Sequence, residues 1–309
     1  MLPDVGRIHT FAQSPGDTNP DSLTLDGNSL FAAYTNGVAS DGTGPGTSEI
    51  VQYNLEGRIV HSYDITGSVD GLKIDPRTDL LWALQNQDGN STLTVINPQT
   101  HHVSAPLPYE TTSATRGYDD VAFEGHTTFL SYTNPVNKGD PVIVSLEGGD
   151  RLRDDELETT PVLSFGATGT NTVTHATNEV VPLNDPDSLT TAPDGDLLLS
   201  SEADGTVVDV HHPGKGNQSV SFTEISDGRG GFANDLDDVI KPDATSGTFV
   251  LADSTTNKIE AFHVTGLNPH DYYASVSDLG GFGQVDPATG QFTLLVSAPG
   301  AHGLSFTPG

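Results

Sequence analysis

The sequence contains no cysteine, which excludes disulfides, thiolate metal sites and cysteine nucleophiles but leaves the compartment open. Basic side chains are scarce too. Twelve Lys and Arg stand against 42 Asp and Glu, a formal charge of −30, so phosphate backbones and anionic membrane surfaces are repelled. No run approaches the ~18 apolar residues that a membrane-spanning helix needs. The opening Met1-Leu2-Pro3-Asp4 lacks the basic and apolar regions of a signal peptide. An extracellular or periplasmic location is expected if the chain is a mature form with its leader removed.

What is present is glycine (34 residues) and proline (20), spread evenly along 309 residues. That distribution suits many short strands joined by turns and argues against long helices. Apolar runs such as Leu80-Leu81-Trp82-Ala83-Leu84 recur and can fill a core, which argues against disorder.

A repeat organises the chain. Five segments begin with Asp, then a small or acidic residue, then an aliphatic one: Asp21-Ser22-Leu23, Asp70-Gly71-Leu72, Asp119-Asp120-Val121, Asp187-Ser188-Leu189 and Asp237-Asp238-Val239. A sixth, His302-Gly303-Leu304, puts His in the Asp place, and the successive spacings are 49, 49, 68, 50 and 65. Each segment leads through a turn such as Asp26-Gly27-Asn28 or Pro193-Asp194-Gly195-Asp196 into a second apolar run. Third and fourth strands follow, as in Ile50–Asn54 and Arg58–Tyr63. Four short antiparallel strands per period of ~50 residues predict an all-β, six-bladed β-propeller, a single domain over 1–309. Gly6–Gln13 reads as the outermost strand of the sixth blade, closing the ring from the N-terminus. The two middle strands of that blade are not evident; the surplus before His302 (Tyr272–Val276 and Gly281–Val285) is one source. The two long spacings predict insertions in 136–160 and 265–285.

In a propeller the first strand of each blade lines the channel, so Asp21, Asp70, Asp119, Asp187, Asp237 and His302 are expected at one height. Crowded carboxylates repel one another unless protonated or neutralised by a cation. Fifteen or sixteen residues after each ring Asp stands another oxygen donor: Asn36, Asn86, Asn134, Glu202 and Asp253. Two sets of oxygen donors favour a hard divalent cation, Ca²⁺ above Zn²⁺. Solvated channel carboxylates without an ion are the plainer alternative. Arg229, in Asp227-Gly228-Arg229-Gly230-Gly231, enters the fifth blade on the same side as the ring. His302, the ring's imidazole, is suited to passing protons. The pairs His101-His102 and His211-His212 are expected at the surface and not as zinc ligands.

This pattern resembles the gluconolactonase, senescence-marker-protein and diisopropylfluorophosphatase group of six-bladed propellers. The resemblance implies a Ca²⁺ or similar ion held by Asp21, Asp119, Asp187 and Asp237, a set more acidic than the group's Glu, Asn, Asn and Asp. It also implies a substrate-binding Arg just before the blade-three ligand. Arg116, in Thr115-Arg116-Gly117-Tyr118-Asp119, stands one residue further off. The leading expectation is a metal-dependent hydrolase of a lactone or other small ester. Asp237 or His302 would activate water, with Arg116 and Arg229 near the substrate. The expected partner is a small molecule, with no nucleic acid or membrane, and the expected state is a monomer. A non-catalytic propeller binding a partner or glycan and a metal-assisted lyase with His302 as base are the alternatives.

Overall fold

The computed structural model describes residues 2–44, 46–109, 115–146 and 157–309. Among them the only helical pieces are 3₁₀ turns at Glu202–Asp204 and Ser277–Leu279, and no helix is long and apolar enough to cross a membrane. The chain forms two compact units, Ser14–Phe165 and Met1–Gln13 with Gly166–Gly309. Each holds three of the six antiparallel sheets.

The N-terminus gives two short strands, β1 (Asp4–Val5) and β2 (His9–Ala12). The first sheet is β3 (Pro20–Asp26), β4 (Ser29–Tyr34), β5 (Ser48–Asn54) and β6 (Ile59–Ile65), in that order. The second is β7 (Val69–Asp75), β8 (Leu80–Gln85) and β9 (Thr92–Asn97), with β10 (His102–Val103) and β11 (Leu107–Pro108) sharing the outer position. The third is β12 (Tyr118–Glu124), β13 (Thr127–Tyr132), β14 (Pro141–Leu146) and β15 (Thr159–Ser164). In the second unit, β16 (Thr168–Asn171) and β17 (Thr177–Val180) precede β18 (Pro186–Thr191), β19 (Leu197–Ser201), β20 (Thr206–His211) and β21 (Ser219–Glu224). The last strands are β22 (Leu236–Ile240), β23 (Ser246–Asp253), β24 (Lys258–Thr265), β25 (Tyr272–Val276), β26 (Gly281–Asp286), β27 (Gln291–Ser297) and β28 (Ala301–Pro308). Six antiparallel sheets, each with four strands in blade order, make the chain a six-bladed β-propeller.

The repeat has a physical meaning. In all six sheets the first strand slips by one residue against the second where the repeat begins: Pro20 faces Tyr34 but Leu23 faces Ala32. The same slip recurs between Val69 and Leu72, Tyr118 and Val121, Pro186 and Leu189, and Leu236 and Val239. Leu251 opposite Leu304 and Asp253 opposite Ala301 give it in the sixth sheet. The Asp (or His302) and the small or acidic residue after it are thus a β-bulge, two residues opposite one. Bulge backbone needs other partners. Ser131 Oγ accepts the Asp120 N–H at 2.9 Å and Ser275 Oγ accepts that of Asp238 at 3.0 Å. The second bulge residue also reaches the neighbouring sheet: Ser22 Oγ accepts the Leu72 N–H at 3.1 Å, and Asp238 Oδ2 that of Leu304 at 2.5 Å.

Two sequence expectations are corrected. Most of the surplus between Asp119 and Asp187 lies beyond 136–160, of which residues 147–156 are outside the described ones. It comes from the hairpin β16–β17, where β16 runs parallel to β21 and widens the fourth sheet to six strands. Nor is 265–285 an insertion. The fifth sheet is β22-β25-β26-β27, and the sixth is β28-β23-β24 with β1 and β2 on β24. The chain leaves the fifth sheet after β22, lays down β23 and β24 in the sixth, and returns. Tyr272–Val276 and Gly281–Val285 are therefore middle strands of the fifth blade, and Asp253 belongs to the sixth sheet, opposite Ala301, instead of following Asp237. The N-terminal outer strand of the sixth blade is present as expected, with His9 opposite Ala261.

Apolar side chains fill the gaps between successive sheets within each unit, for example Trp82, Leu93, Tyr118 and Leu130 between the second and third, and Phe249, Phe262, Tyr273 and Phe282 between the fifth and sixth. At the bulge of β7 a side chain at position 71 would sit inside van der Waals contact of the Asp119 carbonyl oxygen. Glycine there lets β7 and β12 approach. Gly71→Ala should lower stability by about 1–3 kcal/mol through overpacking, measured by urea unfolding, whereas Gly27→Ala, in open space, probes only the cost of positive φ.

Candidate active site

In the second unit the innermost strands β18, β22 and β28 lie side by side and carry Asp187, Asp237 and His302 at their bulges. The bulges of β22 and β28 bring two of these into contact: His302 Nδ1 is 2.6 Å from Asp237 Oδ2, with side-chain exposures of 35% and 15%. A carboxylate on Nδ1 orients the imidazole. Close by, β19 ends in the 3₁₀ turn that opens with Glu202. Burial pushes the Glu202 carboxyl up to about 7, and the charges of Asp237, Asp185 and Asp235 add to it, while His302 pulls it back. The Asp278 carboxyl is raised as well, by burial and then by Asp235 and Asp227.

The loop leading into β22 is held by Asp227, whose Oδ1 accepts the N–H groups of Arg229 at 2.7 Å and Gly231 at 2.9 Å. Arg229 is exposed on this loop. So is Phe232, at 54%.

In the first unit Asp21, Asp70 and Asp119 occupy the bulges of the adjacent strands β3, β7 and β12. Desolvation, with Asp88 adding, pushes the Asp70 carboxyl up to about 7. Asp119 is buried. Arg116 is engaged on several sides: Nη1 donates to Asp140 Oδ2 at 3.0 Å, Nε to the Thr133 carbonyl at 3.3 Å, and the guanidinium lies 4.6 Å over the Tyr132 ring.

The second set of oxygen donors has a backbone explanation. Asn36, Asn86 and Asn134 follow second strands with φ of 54°, 61° and 52°, the left-handed region that Asn tolerates better than other non-glycine residues. Their side chains are spent locally: Asn36 Oδ1 accepts the Thr18 N–H at 2.8 Å, Asn86 Oδ1 that of Ser68 at 3.1 Å, and Asn134 Nδ2 donates to Asp88 Oδ1 at 2.5 Å. Sequence reasoning read these positions by spacing and missed the turn geometry. It also read His211 as a surface residue without a role; the imidazole is 34% exposed and meets Asp196.

A hard cation suits the donor chemistry of Asp187, Asp237 and Glu202. All offer carboxylate oxygen, and the Glu202 carboxyl is raised first by burial and then by its acidic neighbours.

No family model matches the chain, and no curated protein matches its sequence. Solved structures do. The periplasmic gluconolactonase of Pseudomonas aeruginosa superposes with a TM-score of 0.53 at 14% identity, over 93% of this chain and 88% of that one. Virginiamycin B lyase from Staphylococcus aureus gives 0.52 at 11%, over 96% and 92%. A catalytically inactive histidine-to-alanine variant of the same lyase with quinupristin gives 0.52 at 12%, over 97% and 81%. At such identities the likeness is one of fold, the six-bladed propeller shared with the gluconolactonase-like group.

The Glu202 environment makes a testable statement. Its folded pKa of about 7 exceeds the ordinary 4.5, so the folded state binds the extra proton and stability falls as pH rises from about 4.5 through about 7. In chelator, Glu202→Gln should therefore match wild type near pH 5 and exceed it above pH 7, by on the order of 1–3 kcal/mol. Thermal scans at the two pH values check this; equal differences at both would show that Glu202 is not a strained carboxyl.

Proposed function

We propose that the chain is an enzyme acting on a lactone or another small ester, with Asp237 and His302 as its proton-transfer pair. The single observation that carries this reading is the 2.6 Å Asp237–His302 contact on neighbouring bulges. The His302 imidazole takes a proton from water as the water oxygen bonds to the ester carbonyl carbon. Asp237 stabilises the imidazolium that forms. The proton then passes to the alkoxide as the C–O bond breaks, and the product carries one added water. A divalent cation held by ring carboxylates such as Asp187 and Asp237 would, when bound, polarise the carbonyl oxygen. Asp21 and Asp119 remain proposed ligands on the strength of the repeat alone. Arg229 and Phe232, on the exposed loop before β22, are the proposed contacts for an anionic and an apolar part of the substrate. For Arg116, committed to Asp140 and Tyr132, a substrate contact requires it to leave those partners. An extracellular or periplasmic setting accords with the compartment in the gluconolactonase's name.

Elimination is the second reading, because the same pair can remove a carbon-bound proton. His302 would take it, a C=C bond would form, and the ester C–O bond would break to release a carboxylate. A fold neighbour that is a lyase inactivated by loss of a histidine favours keeping this reading.

One assay separates the two. A panel of lactones and cyclic esters is incubated with Ca²⁺-loaded and chelator-treated protein, and products are weighed by mass spectrometry. Hydrolysis adds the mass of one water; elimination leaves the mass unchanged. Asp237→Asn should lower kcat by ~10²–10⁴, while Asp70→Asn should keep most activity. No turnover by either route in loaded protein, or equal effects of both variants, would replace the enzyme with a cation-binding scaffold.

A further inference from the structure

A second cluster lies at the other end of the fourth sheet. The β18–β19 turn carries Asp196, while Glu202 follows the far end of β19, so the two mark opposite ends. Asp209 and His211 are two residues apart on β20 and share one face; Asp209 pairs with Leu198 and Val210 with Leu197, next to the turn. His211 Nδ1 lies 2.6 Å from Asp196 Oδ2 and 3.4 Å from Asp209 Oδ1. One ligand atom from each residue falls within 4.8 Å of the others.

Two observations lift this above a chance grouping of acids. Asp209 is only 3% exposed, and its Oδ1, aimed at His211, accepts no hydrogen bond. Oδ2 has only the Tyr272 hydroxyl at 3.4 Å. A buried carboxylate oxygen without a donor is costly unless a cation meets it. In addition, His211 Nε2 is held by Ser221 Oγ at 3.1 Å, which turns Nδ1 toward the two carboxylates. A hydrogen bond on the far ring nitrogen is how metal-binding histidines are oriented. Lys241, whose charge reaches Asp209, is paired with Asp194 at 3.0 Å.

We propose that Asp196, Asp209 and His211 form a second metal site, for Zn²⁺ or a similar transition ion, which ties the β18–β19 turn to β20. One imidazole nitrogen with two carboxylate oxygens fits zinc, with water completing the shell. Calcium, which takes oxygen ligands, is not expected to occupy it. The site is separate in chemistry and position from the carboxylates around Asp237.

The test uses the full chain stripped of metal by chelation and titrated with Zn²⁺ alone, followed by calorimetry and thermal melting. Wild type should bind one Zn²⁺ at this site and melt at a higher temperature; an equal concentration of Ca²⁺ should not substitute. Asp209→Asn, nearly isosteric, and His211→Ala should lose that binding event, and Ser221→Ala should weaken it by about 10-fold. Asp237→Asn should keep it. A wild-type melting temperature unmoved by Zn²⁺ would overturn the proposal, leaving His211 as a bridge between two acids. So would undiminished Zn²⁺ affinity in Asp209→Asn, or loss of the response in Asp237→Asn.

Discussion

The β-bulge on the first strand of every blade is the constraint from which the rest of this molecule follows. A bulge leaves backbone donors outside the ladder, and a buried N–H without an acceptor is expensive. Here the donors are met by short hydroxyl and carboxylate side chains: Ser131 and Ser275 from second strands, Ser22 and Asp238 from the bulges themselves. That requirement explains why the repeat reads Asp, then a small or acidic residue, then an aliphatic one. The aliphatic residue returns to the ladder and to the core. The residue before it binds the neighbouring blade where it is Ser22, Asp120 or Asp238, and lets the strands approach where it is Gly71. The first is left to carry chemistry, and it is there that Asp237 and His302 meet.

The large excess of acid has consequences that differ by location. At four places a basic side chain meets an acid: Lys73 with Asp120, Arg77 with Asp75, Arg116 with Asp140, Lys241 with Asp194. Elsewhere the chain relies on imidazole and on carboxyls raised toward neutrality, as at His302 beside Asp237, His211 beside Asp196, and the raised Glu202 and Asp70. Carboxylates arranged without enough cations of their own are suited to taking one from solution, which underlies both metal proposals.

The last two blades add a topological device. Because β22 pairs with β25 and β28 with β23, the fifth and sixth sheets are threaded through each other twice. The Asp237–His302 contact is then held by two sheets that cannot separate without unpairing strands from both. β22 must wait for strands more than 30 residues further along, so these contacts close late-arriving, non-local loops and are expected to form slowly.

The repeat made much of the architecture legible from composition and spacing alone: all-β, six blades of four strands, the N-terminus on the sixth blade, and acids with one histidine at equivalent places. Those features are local, because a turn and a two-residue periodicity are written in consecutive residues. Sequence was silent or misleading wherever the partner of a strand or side chain is distant. The crossing from β22 to β23 spans a link no longer than an ordinary hairpin, so nothing in 241–245 distinguishes a return to the same sheet from a passage to the next. Asn36, Asn86 and Asn134 look like ligands by spacing, but φ decides that they are turn residues. His211 looks like a surface residue in a His-His pair. Only the placement of the β18–β19 turn over β20 sets it between Asp196 and Asp209, because the geometry of a site is fixed by which backbones approach each other, and that is a property of tertiary packing.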